Sequence, residues 1–387
     1  MDPGGDAPGR RDRVLAALAP AAVYLVVRLV GVVVLAAMAA HNRSGLLDEL
    51  TSWDGQWLLG IAEFGYDGVP SFLVDARGHR TPETALGFFP GYPALVAVVA
   101  TVTGNIVAAG LVVALAAGVA AAYGLARLGT IVPGGSPRAG LILVALFAST
   151  PMAVVLTMAY SEGLFCALAV CALVALLQRQ WVLAGALTAV AGVVRPTGSA
   201  LVAAVWLAAA AAILTRRRAE PEDRPGVGPW LAVLIAPLGW LGYLGFVAAR
   251  TGDPAGWFRV QREGWGWYLD ADATARYAVS MLASGERAYE IATVLVLLGA
   301  LVLFTLTVPT PWPLVVYGAG VLVTVWGTAG LMNAKIRLLV PAFVLLVPIA
   351  VGLARRKTGT AVAVLVALAL GSAWFGGHAL TVWRYGI

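Results

Sequence analysis

Charge is what this sequence has least of. Only 12% of its 387 residues are Asp, Glu, Lys or Arg, 60% are hydrophobic, and the mean hydropathy is +0.86. A soluble domain carries about 25% charged residues, so a water-soluble fold is excluded. Histidine and cysteine are scarcer still. His41, His79 and His378 lie far apart and no HExxH or clustered His/Cys set occurs, so no metal site is expected. Cys166 and Cys171 share one apolar run but not one helix face, which predicts no disulfide. A phosphate-cradling Gly loop, a dinucleotide-binding unit and a G-x-S-x-G elbow are also missing. These absences argue against a soluble nucleotide-activated substrate and imply no cofactor; the substrate of an enzyme built this way would come from the membrane. The net charge of +6 gives no case for a nucleic-acid partner, because the Arg residues are scattered at the ends of apolar runs.

Those runs are what the sequence does have. Stretches of about 17–25 apolar residues recur, long enough to cross a hydrocarbon core of about 30 Å, and they lack the alternation of barrel strands. The chain is therefore predicted to be all-α, a single polytopic membrane domain over 1–387. Eleven spans are expected, at 14–40, 105–127, 139–158, 162–178, 181–194, 197–214, 230–249, 291–308, 312–331, 338–354 and 358–380. The first run ends in Ala37-Met38-Ala39-Ala40, faintly like a signal-peptidase site, but it is too long for a signal-peptide core and is expected to be retained. No solenoid or inverted repeat is evident.

Orientation follows from the basic clusters. Placing Arg10/Arg11/Arg13, Arg127 with Arg138, Arg179, Arg216–Arg218 with Arg224, and Arg355-Arg356-Lys357 inside predicts a cytoplasmic N-terminus and an outer C-terminus. Segment 88–104, "FFPGYPALVAVVATVTG", is then expected to be an interfacial or re-entrant outer helix. Pro90 and Pro93 would sit in its first turn, with Phe88, Phe89 and Tyr92 in the headgroup layer. The acids sort with this topology. Asp2, Asp6, Asp12, Glu220, Glu222 and Asp223 fall inside, the last three in a cytoplasmic linker at 216–229. Nearly all the others fall in two outer loops, 41–104 and 250–290.

The first of these loops holds "LLDELTSWDGQWLLGIAEFGYDG" (46–68), five carboxylates and two tryptophans in a chain otherwise dominated by Ala, Val, Leu and Gly. Read as a helix from about Ser52, it sets Trp53, Trp57, Ile61 and Phe64 in one stripe, an amphipathic surface helix with aromatics in the interface. Asp54 would lie beside that stripe, where water is partly excluded, a setting suited to a general base. Asp48 and Glu49 precede it. Asp67, Asp75 and Glu83, beside Gly, Pro and Arg, are expected only to solvate the loop.

"SWDGQWLLGIAEFGY", "ALGFFPGYPALV", "AYSEGLFCALAV" and "VAGVVRPTGSAL", in this order, resemble the PIG-V family over roughly residues 15–215, with a looser likeness at "NAKIRLLVPAF". That family comprises the membrane mannosyltransferases that add the second mannose in glycosylphosphatidylinositol anchor assembly, together with their bacterial relatives. It belongs to the GT-C class. The resemblance implies a GT-C-like helical bundle whose active site is on the outer face. It implies an essential acid in the first outer loop, matched here by Asp54, and a polyprenyl- or dolichyl-phosphate mannose donor. The Ala, Val, Arg and Gly content suggests a GC-rich bacterium and hence its plasma membrane.

Four further charged positions stand near the predicted outer face. Glu162, opening the run after "YS", either complements a helix dipole or, as the resemblance favours, orients an acceptor. Arg195, in "VVRPTG", either snorkels to headgroups or binds phosphate. Lys335 and Arg337, in "MNAKIRLLV", are outer cations that a lipid-phosphate leaving group would hold in place. Arg28, deep in the first span, is assigned to function, to an ion pair or to snorkelling. In "DPAGWFRVQREGWGWYLD", Trp257, Trp265, Trp267 and Tyr268 are favoured as interfacial anchors over sugar-stacking faces.

The leading expectation is an inverting mannosyltransferase in which Asp54 is the base. Substrate contacts are expected from Glu49, Trp53, Trp57, Tyr92, Tyr160, Glu162, Arg195, Lys335 and Arg337. Its partners would be a polyprenyl-phosphate sugar donor, a lipid-linked or glycan acceptor, and membrane lipids. A secondary transporter and a non-catalytic membrane scaffold are the rivals. A transporter would keep its ionisable residues near the midplane, whereas here all but Arg28 crowd the span ends.

Overall fold

The computed structural model describes residues 10–215, 226–284, 288–306, 310–330, 332–383 and 386–387. Most of the expected linker 216–229, with its Arg and Glu residues, and Asp2 and Asp6 lie outside them. The helices in chain order are α1 (Arg10–His41), α2 (Leu46–Thr51), α3 (Asp54–Gly68), α4 (Gly91–Thr103), α5 (Ile106–Ile131), α6 (Pro137–Ala148), α7 (Glu162–Leu177), α8 (Trp181–Gly192) and α9 (Gly198–Thr215). They continue as α10 (Gly228–Ile235), α11 (Leu238–Thr251), α12 (Gly256–Gly264), α13 (Ala273–Ser284), α14 (Ala288–Leu306), α15 (Trp312–Trp326), α16 (Lys335–Leu338), α17 (Val347–Ala354) and α18 (Thr358–Thr381). A two-residue antiparallel ladder pairs β1 (Tyr268–Leu269) with β2 (Thr328–Ala329), Tyr268 opposite Ala329.

Local chemistry sets many of the boundaries. The Asn105 side chain accepts the Ala108 amide at 2.9 Å to open α5, and Ser136 Oγ accepts the Ala139 amide at 3.1 Å to open α6. Pro lies in the first turn of α6, α10, α15 and α17, where its missing N–H costs nothing. Gly104 and Gly252 close α4 and α11 in the left-handed conformation.

The chain is a polytopic helical membrane protein. Among the described residues, α1, α5, α9, the joined α10–α11 segment and α18 are each long and apolar enough to cross a membrane. Shorter apolar helices correspond to the other expected spans. Two of those expectations are corrected. The run 139–158 is not one helix: α6 stops at Ala148, and a 3-10 turn follows at Ala153–Leu156. The run 338–354 starts at a bend of 53° between Met332–Leu338 and Val340–Ala354, and its first part, Val340–Leu346, is 3-10 before α17 begins.

The core is centred on α5, α6 and α7, with α1 and α18 packed side by side on one flank. Small residues permit this closeness. A Cβ on Gly129 of α5 would stand 2.7 Å from Gly140 Cα of α6, and one on Gly140 would collide with the Ala126 carbonyl oxygen. Among the described residues no acid pairs with Arg28, and its buried guanidinium turns inward, in place of an ion pair or snorkelling. Its Nη1 donates to the Ala148 carbonyl at 2.9 Å and its Nη2 to Thr157 Oγ1 at 3.4 Å. The guanidinium thus caps the C-terminus of α6 where the break frees its carbonyls, a favourable charge–dipole contact.

The charges separate toward two ends of the bundle. At one, Arg138 Nη2 donates to the Arg356 carbonyl at 2.9 Å, joining the α5–α6 and α17–α18 turns. At the other, the segments 46–90 and 250–269 knit together. Gln261 Nε2 donates to the Gly87 carbonyl at 2.9 Å, Arg77 Nη2 to the Arg262 carbonyl at 3.0 Å, and Arg259 pairs with Glu83 at 3.0 Å. From α11, Tyr243 donates to the carbonyls of Leu86 and Phe88.

Candidate active site

That knitted end encloses a cavity of about 840 Å³, lined among others by Trp53, Asp54, Gln56, Trp57, Phe88, Tyr160, Ser161, Arg195, Trp257, Gln261, Trp265, Trp267, Asn333 and Arg337. The N-termini of α3, α7 and α9 and the short α16 bring its charged side chains together.

Asp54 is the first residue of α3, and its Oδ2 lies 2.7 Å from Arg337 Nη1. Arg337 also approaches Glu162 Oε1 at 3.5 Å through Nε, and its guanidinium stands 5.3 Å over the Tyr160 ring. Glu162, fully buried at the start of α7, pairs with Arg195 Nη1 at 2.7 Å, and the same nitrogen donates to Ser161 Oγ at 2.8 Å. The result is a four-charge cluster, Asp54–Arg337–Glu162–Arg195, open to the cavity at Asp54, Arg337 and Arg195. Asp54 keeps about a quarter of its side chain accessible (28%), so it alone of the two acids faces an incoming molecule.

The backbone before Asp54 is strained. Trp53 has φ 54° and ψ −120°, a left-handed conformation that a bulky residue adopts at a cost on the order of 1–3 kcal/mol. Tyr160 spans this turn: its hydroxyl donates to the Ser52 carbonyl at 3.3 Å and accepts the Asp54 amide at 3.2 Å. Burial, followed by the nearby charge of Asp54, pushes the Tyr160 hydroxyl well above the usual tyrosine pKa, so it acts as a neutral donor and acceptor.

The other expected site residues are placed unequally. Trp57 is buried, stacked on Phe88 at 5.4 Å, edge-on to Trp265 at 5.6 Å and under the Arg80 guanidinium. Trp53 lines the cavity but is largely exposed. The single stripe expected of α3 does not form: Trp57 and Ile61 are buried (4% and 6% exposed), whereas Phe64 is 52% exposed, one residue before the backbone kinks at Gly65. Tyr92 and Phe89 are buried, which removes them from a headgroup layer. Tyr92 donates to the Gly110 carbonyl at 2.8 Å between α4 and α5, away from the cavity lining. Glu49 stays in α2, also away from that lining. Lys335 is not brought to the charged cluster. Its ammonium is buried against the carbonyls of Val325 and Thr328, closing the end of α15. Arg195 does not snorkel, because its guanidinium turns inward to Glu162.

Two further expectations change. Asp75 is not a solvated loop acid: it is buried and its Oδ1 accepts the amides of Arg77 and His79 at 2.8 and 2.9 Å, fixing a turn. Trp257 and Trp265 pack on the 84–90 segment and line the cavity, so they are wall rather than interfacial anchors. Ser161, Gln56 and Asn333 escaped the sequence reading. Ser161 adjoins Glu162, and Gln56 is the lone amide between two tryptophans, so proximity to the flagged residues was the available signal.

Compared with family models and with curated proteins, the sequence matches none. The crystal structure of ArnT from Cupriavidus metallidurans bound to undecaprenyl phosphate matches with a TM-score of 0.52 and 14% identity, covering 93% of this chain and 75% of that one. The two share a fold.

Proposed function

We propose that this chain is an inverting GT-C glycosyltransferase that moves mannose from a polyprenyl-phosphate-mannose donor to a hydroxyl of a lipid-linked or glycan acceptor at the outer membrane face. The observation that carries the reading is the Asp54–Arg337 pair at the mouth of the charged cluster, a base and an anion-binding cation 2.7 Å apart in one cavity. The fold shared with ArnT, crystallised with undecaprenyl phosphate, supports a lipid-phosphate donor. The mannose and the kinship to PIG-V rest on the sequence blocks.

In this scheme the acceptor hydroxyl gives its proton to Asp54 as its oxygen attacks the anomeric carbon. The bond from that carbon to the phosphate oxygen breaks, and the lipid phosphate leaves with the electron pair. One base suffices for inversion, because no covalent sugar–enzyme intermediate forms. Arg337, with Arg195 behind it, stabilises the charge developing on the leaving phosphate. An entering phosphate competes with Asp54 for Arg337, so donor binding would loosen the ion pair and leave the carboxylate free to accept a proton. Glu162 keeps both guanidiniums in place. Of the aromatic wall, the partly exposed Trp53, Trp265 and Trp267 offer rings on which a sugar can stack, while Trp57 and Trp257 are buried behind them. Segments 41–104 and 250–290 form the outer loops in this reading.

The test is incubation of the purified protein with radiolabelled polyprenyl-phosphate mannose and a cell lipid extract, followed by chromatography. A labelled product that is absent with Asp54→Asn supports the reading. A donor left intact across all lipid fractions argues against it.

A further inference from the structure

Tyr160 lines the cavity, yet its polar atom is committed to the backbone. Its hydroxyl bridges the Ser52 carbonyl and the Asp54 amide, on either side of the left-handed Trp53. Its ring carries the Arg337 guanidinium on one face, and Gly55 approaches its edge, where a Cβ would stand 3.4 Å from Cε2. The neighbouring Ala159 amide donates to the Leu50 carbonyl at 2.9 Å, so the 159–160 strand of chain is fastened to the 50–54 turn twice over. A strained conformation at a bulky residue persists only where its surroundings hold it.

We infer that Tyr160 is a positioning residue. It clamps the strained Trp53 turn and so aims the Asp54 carboxylate at Arg337 and into the cavity. One side chain thereby sets both members of the pair, the acid through its backbone and the cation through the ring face. This rests on the proposed role of Asp54 as base, but the clamp itself is a statement about conformation.

The two are separable by experiment. Glycine adopts the Trp53 conformation without strain, so Trp53→Gly removes the need for the clamp. Turnover and amide hydrogen exchange over residues 50–56 are measured for the wild type, Tyr160→Phe, Trp53→Gly and the double variant. Tyr160→Phe is expected to speed exchange in this segment and to lower kcat about tenfold, the effect of losing both of its hydroxyl's hydrogen bonds at the low end of their net value, with little change in donor KM. In the Trp53→Gly background the same substitution is expected to change neither quantity by more than about twofold. A merely structural tyrosine would give the same penalty in both backgrounds, and that result overturns the inference. So does unchanged exchange in Tyr160→Phe. Failure to transfer sugar from any donor counts against the proposed function, and the clamp is then decided by exchange alone.

Discussion

Asp54 and Arg337, from opposite ends of the chain, meet at 2.7 Å, and Arg337 reaches on toward Glu162 at 3.5 Å. This joins the first acidic loop to the α16 turn and makes the two acids unequal. Glu162 is sealed behind two guanidiniums, while Asp54 faces the cavity.

Asp54→Asn keeps the shape and a hydrogen-bonding group but cannot take the proton. Turnover is expected to fall by about 10²–10⁴-fold, the usual contribution of a general base. Donor binding, measured by equilibrium dialysis in detergent, should survive. Asp67→Asn, which alters only an exposed pair with Arg250, should turn over near the wild-type rate. Full turnover in Asp54→Asn would move the base elsewhere.

The two cations of the 335–337 segment should behave differently. Arg337→Gln is expected to weaken donor binding by about ten- to a hundredfold, the value of a charge-assisted contact. Lys335→Met should leave the affinity of the folded protein unchanged and lower its melting temperature, because its ammonium serves the carbonyls of Val325 and Thr328. Equal losses of affinity in both variants would return Lys335 to the site.

Arg195 is expected to matter for stability as well as for phosphate. Arg195→Met leaves Glu162 buried with a partner only at 3.5 Å, and a broken buried pair typically costs about 3–5 kcal/mol. Adding Glu162→Gln should recover part of that loss. Chemical unfolding of the single and double variants in one detergent reads the coupling, and strictly additive effects would contradict the pairing.

The orientation is testable on intact cells. His79→Cys and Ala271→Cys, both exposed on the knitted end, should label with an impermeant thiol reagent, and Lys357→Cys should label only after lysis. The opposite pattern would put the cavity on the cytoplasmic face.

Scarcity made several of these residues legible. In a chain with so few charges, Asp54, Glu162, Arg195 and Arg337 each interrupt an apolar pattern, and the structure gathers them into one cluster. The helical class was equally plain, since long apolar runs leave a lipid-exposed backbone few alternatives. The partners were not legible. A cation at a turn reads the same whether it faces a cavity, as Arg337 does, or two backbone carbonyls deep in the protein, as Lys335 does at Val325 and Thr328. The α3 stripe misled at its two ends: Trp53 stands outside the helix in a left-handed turn, and Phe64 is the last residue before the kink at Gly65 and is exposed. Asp75 misled because a short turn, here closed at Gly78, can fold its acid inward to tie its own amides.

Arg28 bears on how the protein is made. Its acceptor at Ala148 lies 120 residues later in the chain. At about 5–20 residues per second, the first span is complete on the order of ten seconds before α6 exists to receive the guanidinium. A central arginine costs a helix about 2.5–3.5 kcal/mol on insertion scales. During that interval the nascent first span carries this penalty uncompensated and depends on its remaining apolar length to stay inserted. Assembly of the broken α6 against α1 is thus a step that secures the first helix in the bilayer, so loss of the α6 break should show first as poor membrane integration.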